Sequence, residues 1–349
     1  MMGKTGAVAV LEKLWPVLVL VVPLLAVVVL ADNYGSVMLQ RTVTDALIKI
    51  VLVVGLYIFI GNSGIVSFGH IGFAGIAAYF ATWMTCCAMM KPITMTGLPD
   101  FLRLETYSLW STALVSVAIA GLAALVIGLV LMRLSGLAAS ISTLAALFIF
   151  HAVYANWDSV TMGRASIVGV PTYVTGWVAL GGAVLAIVVA WLYQVSSFGL
   201  ATRAARDDEV AAQASGISLY WNRLIAFVLS GMVVGLGGVL MVHFQGTISV
   251  NAFYLNLTFI TLAMLVVGGM RSLAGAVVGV VVLTSVADVF RRLEAGVDLG
   301  ATRLSTPIGT QEMFLAALML LILVFRKDGL MGRREPRLPR LLVAGPAQR

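Results

Sequence analysis

Arg203, Arg206, Asp207, Asp208 and Glu209 fall within seven residues of a chain in which only 11% of residues are charged and 61% are hydrophobic. Each charge would cost roughly 2.5–3.5 kcal/mol at the centre of a bilayer, so together they hold this stretch outside the hydrocarbon. The stretch is also rich in strong helix formers, Ala204, Ala205, Ala211, Ala212 and Ala214. Arg203 stands four residues before Asp207, which places the two on one helical face. Gly216 is a natural C-terminal stop. The pattern predicts one short helix over about 200–216 on the membrane surface, charged on one side and small and apolar on the other. Such a helix suits docking of another protein, with the Ala212 side inserting and the Arg206 side at the rim.

A second stretch, Gly61–Gly75, holds five glycines in fifteen residues, with Asn62, Ser67 and His70 among them. That is too many for an ordinary helix interior. Broken backbone at membrane depth is tolerated where it is buried in protein or faces a water-filled cavity. Gly61, Asn62, Gly64, Ser67, Gly69 and His70 are therefore candidates for a translocation path. Close helix packing, with His70 as a hydrogen-bonded packing residue, is the competing reading.

Chemistry of other kinds is missing from the sequence. There is no phosphate-binding loop, no paired metal-ligating histidines and no nucleophile elbow. Cys86 and Cys87 are adjacent, so they are read as small core residues that neither bridge nor hold zinc. No catalytic residue, metal site or cofactor is assigned. Within the apolar runs the ionisable residues are few: Asp45 and Lys49, spaced for an i, i+4 ion pair, and Asp288. The pair reads as structural, with a substrate-pathway charge as the alternative. An ion-coupled secondary carrier or an intramembrane enzyme would want more such groups at the midplane.

The elements that would position these stretches are apolar runs. They are Leu14–Ala31 (with Pro16 and Pro23), Val43–Ile60, the Gly61–Gly75 stretch running on to about Met90, Leu109–Leu131, Ala138–Tyr154, Trp177–Tyr193, Leu224–Val242, Phe253–Val267, Leu273–Phe290 and Met313–Phe325. The first run has features of a signal peptide, and a retained helix is the preferred reading for its length. A mean hydropathy of +1.05 and 35 glycines agree with a polytopic all-α membrane protein of about ten segments. The chain reads as one transmembrane domain over 1–349. The net charge of +7 comes largely from a tail over about 326–349, where Arg326, Lys327, Arg333, Arg334, Arg337, Arg340 and Arg349 outnumber Asp328 and Glu335. This marks a cytoplasmic flank, not a nucleic-acid surface. With ten segments both termini, Arg133 and the 200–216 helix share the cytoplasmic side, and 156–175 and 291–311 lie opposite. Gly268, Gly269, Gly275 and Gly279 faintly echo the earlier glycine stretch, as in an internal repeat.

Four stretches resemble the LivM-like permeases of bacterial branched-chain amino acid ABC importers. They are GNSGIVSFGHIGFAGIAAY at 61–79, NWDSVTMGRASIVGVP at 156–171, RAARDDEVAAQASGIS at 203–218 and FRKDGLMG at 325–332. Met162-Gly163-Arg164 departs from a more usual glycine pair, and Lys327 from a proline. The resemblance implies a multi-pass permease of the inner membrane that works by alternating access. It implies as partners a second LivH-like permease, two cytoplasmic ATPases, a periplasmic solute-binding protein and membrane lipid. Arg203, Arg206, Asp207, Asp208, Glu209, Ala212 and Gly216 would then be the ATPase-coupling residues. Permeases of urea-type importers are similar, so the solute stays open between these classes.

Overall fold

The computed structural model describes residues 6–87, 91–295, 297–298, 303–304, 307, 309–326, 328–332 and 335. Most of the basic tail, including Lys327, Arg333, Arg334, Arg337, Arg340 and Arg349, lies outside them.

The chain folds as helices with two minimal antiparallel strand pairs. In order these are α1 (Gly6–Tyr34), α2 (Val37–Ser63), α3 (His70–Thr85), two short turns α4 (Lys91–Thr94) and α5 (Asp100–Arg103), then α6 (Leu109–Leu131) and α7 (Gly136–Ala155). A loop carrying α8 (Asp158–Thr161) and β1 (Ile167–Val168) leads to α9 (Gly176–Val195). Next come α10 (Ser197–Asp207), α11 (Glu209–Ala214), α12 (Leu219–Gln245) and β2 (Thr247–Ile248). The chain continues through α13 (Leu255–Gly268), α14 (Leu273–Ala295), β3 (Val297–Asp298), β4 (Arg303–Leu304) and α15 (Thr310–Phe325).

Among the described residues, eight helices are long and apolar enough to cross a membrane: α1, α2, α6, α7, α9, α12, α13 with the turn before it, and α14. Two more apolar helices, α3 and α15, have 16 residues each. At 1.5 Å per residue each is about 24 Å long, short of a hydrocarbon core of about 30 Å. The expected ten segments are thus eight full spans and two short ones. Helix α3 ends at Thr85, earlier than the apolar run suggests, and α1 runs through Pro16 and Pro23 as one helix.

Helix α2 is the centre of the bundle. From Ile50 to Ser63 every residue is buried, as a helix apolar all round must be. It packs on α12, α9, α14 and α13, and α12 packs in turn on α3 and α6. Small residues set the distances. A Cβ on Gly238 of α12 would strike the Ala74 carbonyl of α3, and one on Gly235 would sit 2.7 Å from the Ala120 Cβ of α6. Gly268, Gly275 and Gly279 bring α13 and α14 to backbone contact. The later glycine cluster is therefore a helix seam as well as a turn.

The connections sort to two ends. At one end, β1 pairs antiparallel with β2, which ties the 156–175 loop to the end of α12. Met162 there adopts φ 59°, a left-handed conformation that favours glycine; this is the position where the sequence departs from a glycine pair. Cys86 and Cys87 are joined by a disulfide, contrary to the expectation from their adjacency. Cys87 takes φ 29°, which turns its side chain onto the side of Cys86. The 91–107 connection folds around Lys91, whose buried Nζ donates to the carbonyls of Trp83, Leu102 and Glu105 at 3.0, 2.8 and 2.7 Å. At the other end lie α10 and α11, the end of α2, the α13–α14 turn and the segment after α15.

Candidate functional site

The charged stretch is two helices, not one. Asp208 leaves helical geometry (φ −153°, ψ 109°) and caps α11, its Oδ1 accepting from Val210 N and Ala211 N at 2.9 and 3.0 Å. An aspartate at this place is a preferred N-cap. Gly216 ends the unit at φ 80°, with Ile217 N donating back to the Ala212 carbonyl at 3.0 Å.

The arginines turn inward. Arg203 does not pair with Asp207; its Nη2 donates to the Gln194 carbonyl at 2.6 Å, at the end of α9. Arg206 donates through Nη1 to the Gly61 carbonyl at 2.6 Å, at the end of α2, and through Nε and Nη2 to Asp207 at 3.2 Å. Its side chain is 15% exposed, so it is no rim residue. A guanidinium on a helix C-terminus is favourable for the helix dipole as well as for the orphan carbonyl. Thr202 shares a 2.8 Å hydrogen bond with Tyr193, and Glu209 pairs with buried Arg223 of α12. Ala212, expected to insert into a partner, is 4% exposed and already covered by its own chain. The outer face carries Asp207, Asp208, Glu209, Gln213 and Ser215 together with the small and apolar Ala204, Val210, Ala211 and Ala214; Val210 is 77% exposed. Beside α11 a cleft of about 700 Å³ is lined by Arg133, Glu209, Gln213 and Tyr220.

The glycine stretch abuts this unit. Gly64 caps α2 at φ 74°, and a Cβ there would meet the Arg206 Cγ at 2.6 Å. A Cβ on Gly61 would meet the Met270 carbonyl at 2.7 Å, and one on Gly329 the Gly269 Cα at 2.6 Å. The two glycine-rich breaks, far apart in sequence, thus touch each other and the segment after α15. Asn62 is fully buried, its Nδ2 donating to the Ile58 carbonyl at 2.9 Å. Ser67 hydrogen-bonds His70 Nδ1 at 2.7 Å. His70 is fully buried among the rings of Phe59, Phe73 and Phe227, with centroids 5.4, 5.8 and 4.8 Å away. Gly69 lies against the Thr143 carbonyl of α7. In this conformation Gly61, Asn62, Ser67, Gly69 and His70 are buried, Gly64 is exposed, and the His70 ring lies among aromatic rings.

Gln194, Arg223 and Glu335 belong to this end and carry no local signal; each partner is distant in sequence or hidden in a backbone carbonyl. Glu335 Oε1 accepts from Leu273 N at 2.6 Å, at the start of α14. Leu330 N and Met331 N donate to the Val267 and Gly268 carbonyls at 2.9 and 3.0 Å, so the tail clasps the α13–α14 turn. Burial pushes the Glu335 carboxyl above the usual carboxylate range, while the Leu273 and Ala274 N–H groups pull the other way. The docked tail then holds the proton more tightly than a free one. Docking is therefore strongest below the ordinary glutamate pKa of about 4.3 and weakens as pH rises through the higher docked value. Amide-exchange protection at Leu330 and Met331, normalised for intrinsic rates, is expected to fall as pH rises from about 4 through the docked value and to lose this dependence in Glu335→Gln.

Comparison with known proteins agrees with this architecture. The High-affinity branched-chain amino acid transport system permease protein LivM of Escherichia coli (strain K12) is 25% identical over 352 residues, covering 90% of this chain and 76% of the relative. LivM of Salmonella typhimurium (strain LT2) is 24% identical, covering 84% and 70%. A probable branched-chain amino acid transport permease protein LivH of Methanocaldococcus jannaschii is 25% identical, covering 72% and 79%. Residues 38–323 match the family described as branched-chain amino acid transport system / permease component, which takes in α2 through nearly all of α15. The chain is a multi-pass membrane protein and belongs to that permease family.

Proposed function

We propose that this chain is one of two membrane subunits of an ABC importer for branched-chain or related amino acids, seated in the inner membrane with both termini and α10–α11 in the cytoplasm. Its partners are a LivH-like permease, two cytoplasmic ATPases and a periplasmic solute-binding protein that delivers to the β1–β2 end. Solute crosses by alternating access, and this chain hydrolyses nothing itself.

The observation that carries this reading is the α10–α11 unit. It lies off the spanning bundle, exposes Val210, Ala211 and Ala214, and sends its guanidinium groups inward to the ends of α2 and α9. Movement of an ATPase against the exposed side would pass through Arg206 to Gly61. From there it would reach Met270 and the α13–α14 turn. The cleft beside α11 gives room for a partner's rim contacts.

Val210→Asp with Ala211→Asp tests it. Surface changes of this kind cost about 0.5 kcal/mol or less in fold stability, so the unfolding midpoint of the permease stays near wild type. Co-purification of the ATPases is expected to fall at least about tenfold, as placing charges on an apolar docking strip removes more than 1.4 kcal/mol of binding, with ATP-driven uptake falling in step. Wild-type assembly and uptake would refute docking at this face.

A further inference from the structure

At the β1–β2 end, a cavity of about 460 Å³ opens between α1, α2 and α9. Two opposite charges line it, Asp32 near the end of α1 and Arg41 in the second turn of α2. They do not pair with each other. Asp32 Oδ2 accepts from the Trp177 indole N–H at 3.2 Å, and Arg41 has no hydrogen bond or ion pair among the described residues. All three residues lie close to helix ends, and Trp177 stands at the start of α9, the usual interfacial place of a tryptophan. A cation and an anion held apart over one cavity fit a ligand that carries both charges with a spacer between them.

Trp177 also lines a second hollow, an apolar groove of about 420 Å³ between α6, α9 and α12, walled by Trp110, Gly181, Gly182, Leu185 and Leu236. Along α9 the groove runs from Trp177 to Leu185. That is about 12 Å at 1.5 Å per residue, less than half of a hydrocarbon core of about 30 Å. The groove therefore stays in the half of the membrane nearer the β1–β2 end. Trp110, Trp177 and Leu185 are 76%, 49% and 54% exposed, so it opens sideways on the outside of the bundle. Gly181 adds a separate observation. A Cβ there would meet nothing within 4 Å, so no neighbouring helix uses the space this glycine leaves. Glycine weakens a helix relative to alanine, and here no packing within the chain returns the loss.

We propose that the charged cavity and the groove together hold one phospholipid with a primary-amine headgroup, drawn from the leaflet at the β1–β2 end. The site needs only that the chain spans a membrane, whatever solute it carries. The phosphate lies on Arg41, whose guanidinium can offer it two parallel N–H donors. The ammonium donates to Asp32. One acyl chain passes the Trp177 ring and follows the groove over Gly181. Charge complementarity selects the headgroup. An anionic lipid without an amine leaves Asp32 unpaired beside a second negative charge, and a quaternary amine has no N–H for the carboxylate to accept. The groove selects a lipid over a free zwitterion, because its walls are apolar throughout. Bound there, the lipid clamps α1, whose Leu25, Val27 and Leu30 are exposed, to α2 and α9.

The test is native mass spectrometry of the full-length chain, purified in detergent and mixed with phosphatidylethanolamine, phosphatidylcholine or phosphatidylglycerol of identical acyl chains. Wild type is expected to retain one phosphatidylethanolamine with an apparent Kd at least about tenfold below those of the other two lipids. Asp32→Asn with Arg41→Gln is expected to lose this preference. Gly181→Phe fills the groove where a side chain has room. It is expected to weaken retention about tenfold while the unfolding midpoint stays near wild type. Equal retention of the three lipids, tighter binding of phosphatidylglycerol, or wild-type retention in either variant would overturn the site. So would a dimer of this chain that forms only without lipid and is lost in Gly181→Phe, since the groove would then belong to a second copy.

Discussion

In the importer proposed above, Arg206→Met is expected to leave the ATPases bound and hydrolysing ATP while leucine uptake falls about ten- to hundredfold, the range set by losing a charge-assisted hydrogen bond of about 1.5–3 kcal/mol. Among the described residues, Arg206 is the side chain of α10 that hydrogen-bonds α2: Nη1 donates to the Gly61 carbonyl at 2.6 Å, and Nε with Nη2 forks onto Asp207 at 3.2 Å. Methionine fills the space over Gly64 but leaves Gly61 without this donor and removes the Arg206 link between the α10–α11 unit and α2, while the contacts of Thr202, Arg203 and Glu209 to α9 and α12 remain. The docking strip itself, Val210, Ala211 and Ala214, is untouched. Arg206→Lys is expected to fall between, because one ammonium can reach the carbonyl but cannot reproduce the fork. Measuring uptake, ATP hydrolysis and ATPase co-purification together separates the two roles open to this residue. Loss of all three would return Arg206 to the rim of a docking interface, and wild-type values in all three would leave the contact without function.

The sequence made the charged stretch visible, and its position outside the bilayer followed from solvation cost alone. Which face stays open did not follow. A 3.6-residue period tells which residues share a side, but the surroundings of each side depend on chains that arrive from elsewhere. Ala212 was as good a candidate for a partner's groove as Ala211. It is covered because the turn at Gly216 folds the chain back across it. Asp208 offered a usable clue: an aspartate directly before an alanine-rich helix is a preferred cap, and recognising it would have divided the unit correctly. Arg206 offered none, since its acceptor is a backbone carbonyl 145 positions earlier in the sequence. The ion pair Asp45–Lys49 was legible from spacing. The hollow that this pair lines together with Asn256 and Thr284 was not, because those residues come beside it only through the packing of α13 and α14 on α2.

The glycine stretch left broken backbone and close helix packing open, and both occur: the chain leaves helical geometry between Ser63 and His70, and Gly69 and Gly75 lie against neighbouring elements; close packing elsewhere leads to a pair of substitutions with opposite signs. In a helix, replacing glycine by alanine is worth roughly 0.5–1 kcal/mol when the methyl meets open space. Gly181 of α9 is such a place: a Cβ there would find nothing within 4 Å. Gly181→Ala is expected to raise the unfolding midpoint of the detergent-solubilised permease. Gly238 of α12 is the reverse case. Its Cβ would strike the Ala74 carbonyl, and backbone on a buried helix cannot move aside as a flexible side chain can. Overpacking of this kind costs about 1–3 kcal/mol, more than the helix gains, so Gly238→Ala is expected to lower the midpoint. It is also expected to reduce uptake, because α12 holds α2, α3 and α6 together and carries the Arg223 anchor of α11. A rise in midpoint for Gly238→Ala would mean that α3 and α12 do not meet at backbone distance, and the scaffold against which α2 is held would have to be drawn differently.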